Sequence, residues 1–315
     1  MRNLHGTAAL HNLLPPYPRR PFFASMTEHP LLTDIRSALQ HAAQRLAATL
    51  GLPLRDARLE ARILMEHSLS RPHAWLIAHD DEVLTAAQQT AFAQRVNRRL
   101  QGEPVAYILG SREFFGLPFT VTSATLIPRP DTELLVELAL QHLPNGPCSL
   151  LDLGTGSGAI AVTLAHLRPD AQVTATDQSA SALQVARQNA ERHAPGRLSL
   201  LQGNWYEPVQ AEHFDLIASN PPYIATYDPH LQQGDLRFEP PTALAAAEKG
   251  LSDLRHIILQ APDHLKPHGW LLVEHGYDQQ EACQALFRQA GFSQIATHRD
   301  LGGQPRVTLG QRGEG

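Results

Sequence analysis

The run Phe214-Asp215-Leu216-Ile217-Ala218-Ser219 empties abruptly into Asn220-Pro221-Pro222-Tyr223. A mostly apolar run of this length reads as a buried strand. Successive prolines cannot continue it, because they lack backbone donors and restrict the residues before them. The chain therefore leaves its sheet at Asn220 in a stiff turn. An upstream run, Ser149-Leu150-Leu151-Asp152-Leu153, breaks in the same way into Gly154-Thr155-Gly156-Ser157-Gly158. Further candidate strands are residues 172–176, 198–202 and 270–274, with weaker ones at 293–298 and 306–310. Helical patterns such as 158–165 and 180–192 fill the gaps. This alternation predicts an α/β fold with a mostly parallel sheet covered by helices on both faces.

The sequence before residue 102 has a different period. Ile35, Leu39, Ala42, Leu46 and Leu50, with Leu31 and Leu32 before them, recur at helical spacing until Gly51-Leu52-Pro53. Ala57, Ala61, Leu64 and Met65 form a second stripe, and a third helix is expected over 84–100 with Thr85 near its cap. The domain reading is a disordered leader at 1–27, with Met26 as an alternative start, and a small helical substrate-recognition domain at 28–101. A linker with a short hairpin follows at 102–125, and the α/β domain occupies 126–315.

Bulk properties narrow the function. The net charge of −5 gives no global attraction to nucleic acid. Cys148 and Cys283 are the only cysteines, lie far apart and form no metal or redox motif, which fits core thiols in a reducing compartment. The 17 histidines are scattered without ligand spacing, so no metal is implied. No apolar stretch approaches the roughly 20 residues that span a bilayer. A cytoplasmic protein is expected.

The glycine loop between a strand and a helix offers unpaired backbone amides to a ligand. Its G-x-G-x-G spacing differs from the dinucleotide fingerprint, and the Lys-Ser/Thr pair of a phosphate loop is missing. Asp177, at the end of the next strand, can accept hydrogen bonds from both hydroxyls of a ribose or serve the helix start near Ser179. Asn204-Trp205 can flank an adenine ring or act as a loop amide beside a packing aromatic. Asp152 orders the glycine loop or approaches a positive cofactor end. These residues read as a site for a nucleotide-shaped cofactor.

The second site suits a planar amide. Asn220 Oδ1 can accept one amide hydrogen and the Pro221 carbonyl the other. Pro222 stiffens the turn, and Tyr223 can lie against the planar group. Such acceptors orient a nitrogen and raise its electron density, which suits alkyl transfer to nitrogen. Arg129 and Glu133 read either as entrance residues or as a cap and a surface ion pair. Arg237-Phe238-Glu239-Pro240 reads as a loop able to cover a substrate.

These residues together resemble the bacterial release factor glutamine methyltransferases, the HemK/PrmC family. The resemblance runs from about Leu31 to the end. It includes Asp56-Ala57-Arg58, Glu66-His67, Gly102-Glu103-Pro104, Arg112-Glu113-Phe114-Phe115-Gly116 and Leu126 to Glu133. The glycine loop, Asn220-Pro221-Pro222-Tyr223 and Asp235 to Pro240 complete it. The resemblance implies a seven-stranded, Rossmann-like S-adenosylmethionine-dependent methyltransferase domain with an antiparallel final strand, preceded by a helical bundle that helps grip the substrate. It implies methyl transfer to the Gly-Gly-Gln glutamine of class I peptide release factors, leaving N5-methylglutamine and S-adenosylhomocysteine, by a monomer that does not act on nucleic acid.

By the same resemblance, Asp152, Gly154, Thr155, Gly156 and Gly158 surround the methionine part, Asp177 takes the ribose, and Asn204 and Trp205 lie by the adenine. Asn220 and Pro221 take the glutamine amide, with Pro222, Tyr223, Phe115, Arg129, Glu133 and Arg237 around the substrate. A related family that methylates a glutamine of a large-subunit ribosomal protein carries Pro-Arg-Ser-Pro where this chain has Pro128-Arg129-Pro130-Asp131. An adenine or cytosine aminomethyltransferase would want a broad basic face. A cofactor-binding scaffold would lack the acceptor at Asn220, and a nicotinamide dehydrogenase would have other glycine spacing.

Overall fold

The computed structural model describes residues 34–314. The expected leader at 1–27, with Leu31 and Leu32, lies outside the described residues. The chain begins as a helical bundle: α1 (Ile35–Leu50), α2 (Leu54–Leu69), α3 (His73–Ala78), α4 (Ala86–Leu100) and α5 (Val105–Leu109). Asp34 caps α1 by accepting from the Ser37 amide at 2.7 Å, and Gly51 ends it in the left-handed conformation. Thr85 and Gln88 form a reciprocal capping box at α4. The stripes Ala38, Ala42 and Leu46, Ala57, Ala61 and Leu64, and Phe92 and Val96 meet in one core. Ile108 of α5 joins that core. The segment expected as linker thus holds a short helix on the bundle before its hairpin. Its five residues are too few for periodicity to reveal.

The hairpin pairs β1 (Ser111–Phe114) with β2 (Leu117–Thr120). Phe115 and Gly116 carry φ of 52° and 76°, the left-handed geometry of a two-residue turn. A 3-10 turn, Pro130–Thr132, leads into α6 (Glu133–His142). Then follow β3 (Cys148–Leu153), α7 (Ala159–Leu167), β4 (Ala171–Asp177), α8 (Ala180–His193), β5 (Leu198–Gln202) and β6 (Phe214–Ser219). After β6 the chain makes an excursion through β7 (Ile224–Ala225), α9 (Pro241–Leu244), β8 (Ala245–Ala246) and the kinked turn α10 (Ala247–Gly250). It closes with α11 (Ser252–His264), β9 (Leu265–Glu274), α12 (Gln280–Gln289), β10 (Ser293–Arg299) and β11 (Pro305–Gln311).

The seven-stranded sheet runs β10-β11-β9-β6-β3-β4-β5. Only β11 opposes its neighbours, pairing antiparallel with both β9 and β10. Alternate residues enter opposite cores. Leu150, Leu216 and Leu272 pack with α6 and α7, while Leu151, Ile217 and Leu271 pack with α11 and α12. Burial on both faces explains why these strands read as near-continuous apolar runs. β9 starts at Leu265, earlier than the sequence suggests. Pro267, His268 and Gly269 form an irregularity within it, where His268 has φ of 63° and the register to β6 shifts. Among the described residues, no helix is long and apolar enough to cross a membrane.

Asn189 of α8 fastens the hairpin to the glycine loop. Its Oδ1 accepts from the Thr120 amide at 2.7 Å, and its Nδ2 donates to Thr120 O at 3.0 Å and Ser157 O at 2.8 Å. The side chain is fully buried. Asn189→Ala would leave those backbone groups without partners, so unfolding free energy is expected to fall by about 2–4 kcal/mol. Urea denaturation measures this. A loss below about 0.5 kcal/mol, the scale of a neutral surface change, would contradict the fastening role.

Candidate active site

β3 lies between β4 and β6, and all three run parallel. The chain leaves β3 for β4 on one side and later returns to β6 on the other. Crevices form at the carboxyl ends of strands where order reverses in this way. A cavity of about 440 Å³ occupies this place. Its wall includes Gly154, Thr155, Gly156, Asp177, Asn204, Trp205, Asn220 and Pro222. Arg129, Thr132 and Thr125 contribute from the segment before α6, and Pro240, Thr242 and Ala243 from the excursion after β6.

The glycine loop is held at both ends. Gly154 and Thr155 amides donate to Thr176 O at 2.9 and 3.0 Å. Thr155 Oγ1 donates to Asp152 Oδ2 at 2.6 Å, and the Ala161 amide donates to the same oxygen at 3.2 Å. Asp152 is wholly buried and does not line the cavity; its second oxygen, Oδ1, has no hydrogen-bond partner. It orders the loop from behind. Gly156 has φ of 56° and open space where a Cβ would project. Its amide donates to Asp177 Oδ2 at 2.8 Å. Gly158 differs: a Cβ there would meet Val162 at 2.9 Å and Ala186 at 3.3 Å. That glycine serves the close approach of α7 and α8 and does not line the cavity.

Asp177 also accepts from the Ser179 amide at 2.8 Å. Ser179, not Asp177, caps α8, through the Ala182 amide. Each Asp177 oxygen retains acceptor capacity toward the cavity. Burial raises its pKa, while the Ser179 and Gly156 amides oppose that rise. Trp205 has φ of 47°, and its ring lies 3.1 Å from where a Gly154 Cβ would stand. Its carbonyl accepts from Thr176 Oγ1 at 3.0 Å. This open cradle, with backbone amides, a carboxylate and an aromatic wall, fits S-adenosylmethionine in size and chemistry.

The expected substrate residues divide. Asn220 and Pro222 reach the cavity, while Pro221 is buried between them. Tyr223 turns away from it, with its ring against the α11 core and its hydroxyl donating to Glu274 Oε1 at 3.2 Å. Arg129 lines the wall and pairs with Glu239, whose carboxylate also accepts from the Ile127 amide at 3.2 Å. Burial still raises the Glu239 pKa despite Arg129. Glu133 accepts from the Phe115 amide at 2.8 Å and ties the hairpin to α6, so neither Glu133 nor Phe115 lines the cavity. Arg237 stacks over Phe238 at 5.0 Å, beside Gly102, and also lies off the wall. Thr132 and Glu239 carried no individual role in the sequence. Among the described residues no group of three or more His, Cys, Asp or Glu side chains can hold a metal ion.

Residues 37–110 match the PrmC N-terminal domain, and residues 131–234 match the methyltransferase small domain. The release factor glutamine methyltransferase of Bordetella pertussis is 53% identical over 267 residues, 84% of this chain and 97% of that protein. The protein of the same name from Salmonella typhimurium is 50% identical over 261 residues, 82% of this chain and 94% of its own. The crystal structure of a methyltransferase from Pyrococcus furiosus superposes with a TM-score of 0.50 at 21% identity. It covers 70% of this chain and all of that one, and shares the fold.

Burial pushes the Asp152 carboxyl from an ordinary 3.8 up to about 7, against the Thr155 hydroxyl and the Ala161 amide, with the Asp177 charge acting in the same sense as burial. Between those values the folded chain binds this proton more tightly than the unfolded chain. Rising pH through the window therefore removes stability. Asp152→Asn takes this contribution away. Urea unfolding at the two ends of the window should show wild type losing stability relative to the variant as pH rises. A pH-independent difference would mean that the buried carboxyl stays ionised throughout.

Proposed function

The chain belongs to the release factor glutamine methyltransferase family, and from that premise we propose how its cavity methylates a glutamine side-chain amide. It is an S-adenosylmethionine-dependent methyltransferase. The substrate we infer is the glutamine of the Gly-Gly-Gln motif in class I peptide release factors. The observation that carries this reading is Asn220 on the same cavity wall as Asp177 and the glycine loop. Bound S-adenosylmethionine supplies an electrophilic methyl group.

Asp177 accepts from the ribose hydroxyls, and its bond from the Gly156 amide keeps the carboxylate aimed there. Trp205 and Asn204 flank the adenine. Asn220 Oδ1 accepts one hydrogen of the substrate amide, and the Pro221 carbonyl accepts the other. With its hydrogens held in one plane, the nitrogen presents its face to the methyl group. The two acceptors also stabilise positive charge as it develops on nitrogen. The methyl–sulfur bond breaks as the methyl–nitrogen bond forms, S-adenosylhomocysteine is the leaving group, and the alkylated nitrogen, now acidic, would give its proton to water without a dedicated base. Pro222 keeps the turn stiff, so this orientation is not lost on binding.

The helical bundle acts as the recognition domain, and the protein works as a monomer on a protein substrate in the cytoplasm, where release factors act. A net charge of −5 supports a protein substrate over nucleic acid.

Asn220→Ala is expected to bind S-adenosylmethionine as wild type does while kcat falls by about 10²–10³, the usual cost of one transition-state hydrogen-bonding group. Calorimetry and a labelled-methyl assay read the two quantities, and undiminished turnover would remove the amide clamp. Asp177→Ala should instead weaken cofactor affinity by about 10- to 100-fold, as loss of a charge-assisted bond does. Release factor, ribosomal proteins and DNA assayed in parallel, with mass mapping, test the substrate. Transfer confined to ribosomal protein or DNA would overturn that assignment and leave the chemistry intact.

A further inference from the structure

Asn220 and Pro221 stand in a turn that is firmly held where it begins. Ser219 before it is paired in β6, and its hydroxyl donates to Leu153 O at 2.8 Å. Where the turn ends, at Tyr223, the chain departs on the excursion that runs to Gly250. That far end needs an anchor of its own, because a carbonyl on a loose loop cannot orient a substrate nitrogen.

Gln279, buried just before α12, supplies it. Its Nε2 donates to Tyr223 O at 3.0 Å and to Lys249 O at 3.3 Å, one at each end of the excursion. Its Oε1 accepts from the Gly276 amide at 2.8 Å, and its own backbone amide donates to Gly276 O at 3.0 Å. The partners of the carboxamide are all backbone groups of fixed polarity, one N–H and two carbonyls, so its orientation has a single solution.

The returning end of the excursion is strained. Glu248 and Lys249 are both left-handed, with φ of 52° and 58°. Residues with a Cβ disfavour this conformation and keep it only where the surrounding structure over-determines it. Gly250 follows at φ of 85°, and a Cβ on it would stand 2.0 Å from Tyr223 O and 2.7 Å from Gln279 Nε2. The chain thus folds back tightly against the carbonyl that Gln279 holds. Between these ends β7 and β8 pair over two residues each, with Thr226 Oγ1 donating to Ala246 O at 3.0 Å. So short a ladder is a weak closure. The excursion it closes supplies Pro240, Thr242 and Ala243 to the cavity wall.

We propose that Gln279 is a positioning residue for methyl transfer: it clasps both ends of the excursion and so fixes the far end of the turn that carries Asn220 and Pro221. Pro221 and Pro222 have fixed φ, so few free torsions separate the Tyr223 carbonyl from the Pro221 carbonyl. Holding one restrains the other. Gln279 does not line the cavity and acts through the turn. The clasp rests on the assignment of Asn220 and Pro221 as the amide acceptors.

The test is steady-state methyl transfer to release factor, with S-adenosylmethionine binding by calorimetry and amide hydrogen exchange measured on the same variants. Gln279→Met keeps the length of the side chain and removes its donor. Its kcat should fall about tenfold, the effect of one hydrogen bond, with KM for release factor within about threefold. Cofactor affinity and stoichiometry should stay within about twofold, because the glycine loop is held from β4 and α7. Exchange should quicken at residues 224–226 and 245–250 and stay unchanged in β3 and β4. Gln279→Glu keeps the bond from Gly276 and loses both donated ones, so it should behave as the methionine variant does. Wild-type kcat in Gln279→Met, or unchanged exchange at the ends of the excursion, would overturn the clasp. So would a cofactor affinity that falls as far as kcat, the mark of a general loss of structure. If Gln279→Met fails to fold, Gln279→Glu decides by the same readings. Asn220→Ala in the same assay separates the two levels: full activity there defeats the acceptor assignment itself, while its inactivity beside a fully active Gln279→Met defeats only the clasp.

Discussion

The site depends on β3 being buried on both faces and paired in parallel on both edges. A strand so enclosed is paired on both edges from Leu150 to Leu153, and its side chains enter two separate cores. It cannot slip by one residue without reversing which core each leucine enters. The fixed register brings the ends of β3, β4 and β6 to one level. The chain leaves each end through a polar turn, and these turns form the cavity wall. Asp152 extends the constraint past the strand by binding Thr155 and the first turn of α7. A buried carboxyl is a costly way to hold a loop. Here it gathers two donors at a point where no apolar side chain could.

The opposite wall is assembled from segments far apart in sequence. Arg129 pairs with Glu239, and Tyr107 donates to Thr125 O at 2.6 Å. Arg99 of α4 binds Glu60 of α2 and reaches Asp235 at 3.2 Å in the excursion after β6. Ala106, Tyr107, Val121 and Ile127 pack with Phe238 in a small core beneath these pairs. The bundle is thereby joined to the same loop that borders Asn220. Arg99 and Glu239 are the buried members of these pairs, and losing their partners would leave a charge in the interior without compensation. The bundle and the loop beside Asn220 are therefore held together by packed side chains as well as by ion pairs.

Several motif residues serve packing in a functional setting. Gly158 admits α8 against α7, Glu133 fastens the hairpin, and Tyr223 supports Glu274. Their spacing is tied to the cavity without their lining it. Motif matching cannot separate the two duties, since a glycine that admits a ligand and one that admits a helix look alike in sequence.

The sequence by itself determined the strands, the helices that cover them, the antiparallel last strand through its family resemblance, and four residues after strand ends that line the cavity, Gly156, Asp177, Asn204 and Trp205. All of these follow from local pattern: apolar runs, helical stripes, and turn residues at strand ends. The short helix α5 and the early start of β9 escaped, one being too brief for periodicity and the other interrupted by Pro267-His268-Gly269. What only the tertiary structure decided is which polar residues meet. Asn220 meets Thr132 of the turn before α6, Tyr223 meets Glu274 at the end of β9, and Arg99 finds Asp235 across 136 residues of chain. A hydrogen bond of about 3 Å has no periodicity to announce it. It exists only once the sheet has fixed where each segment ends.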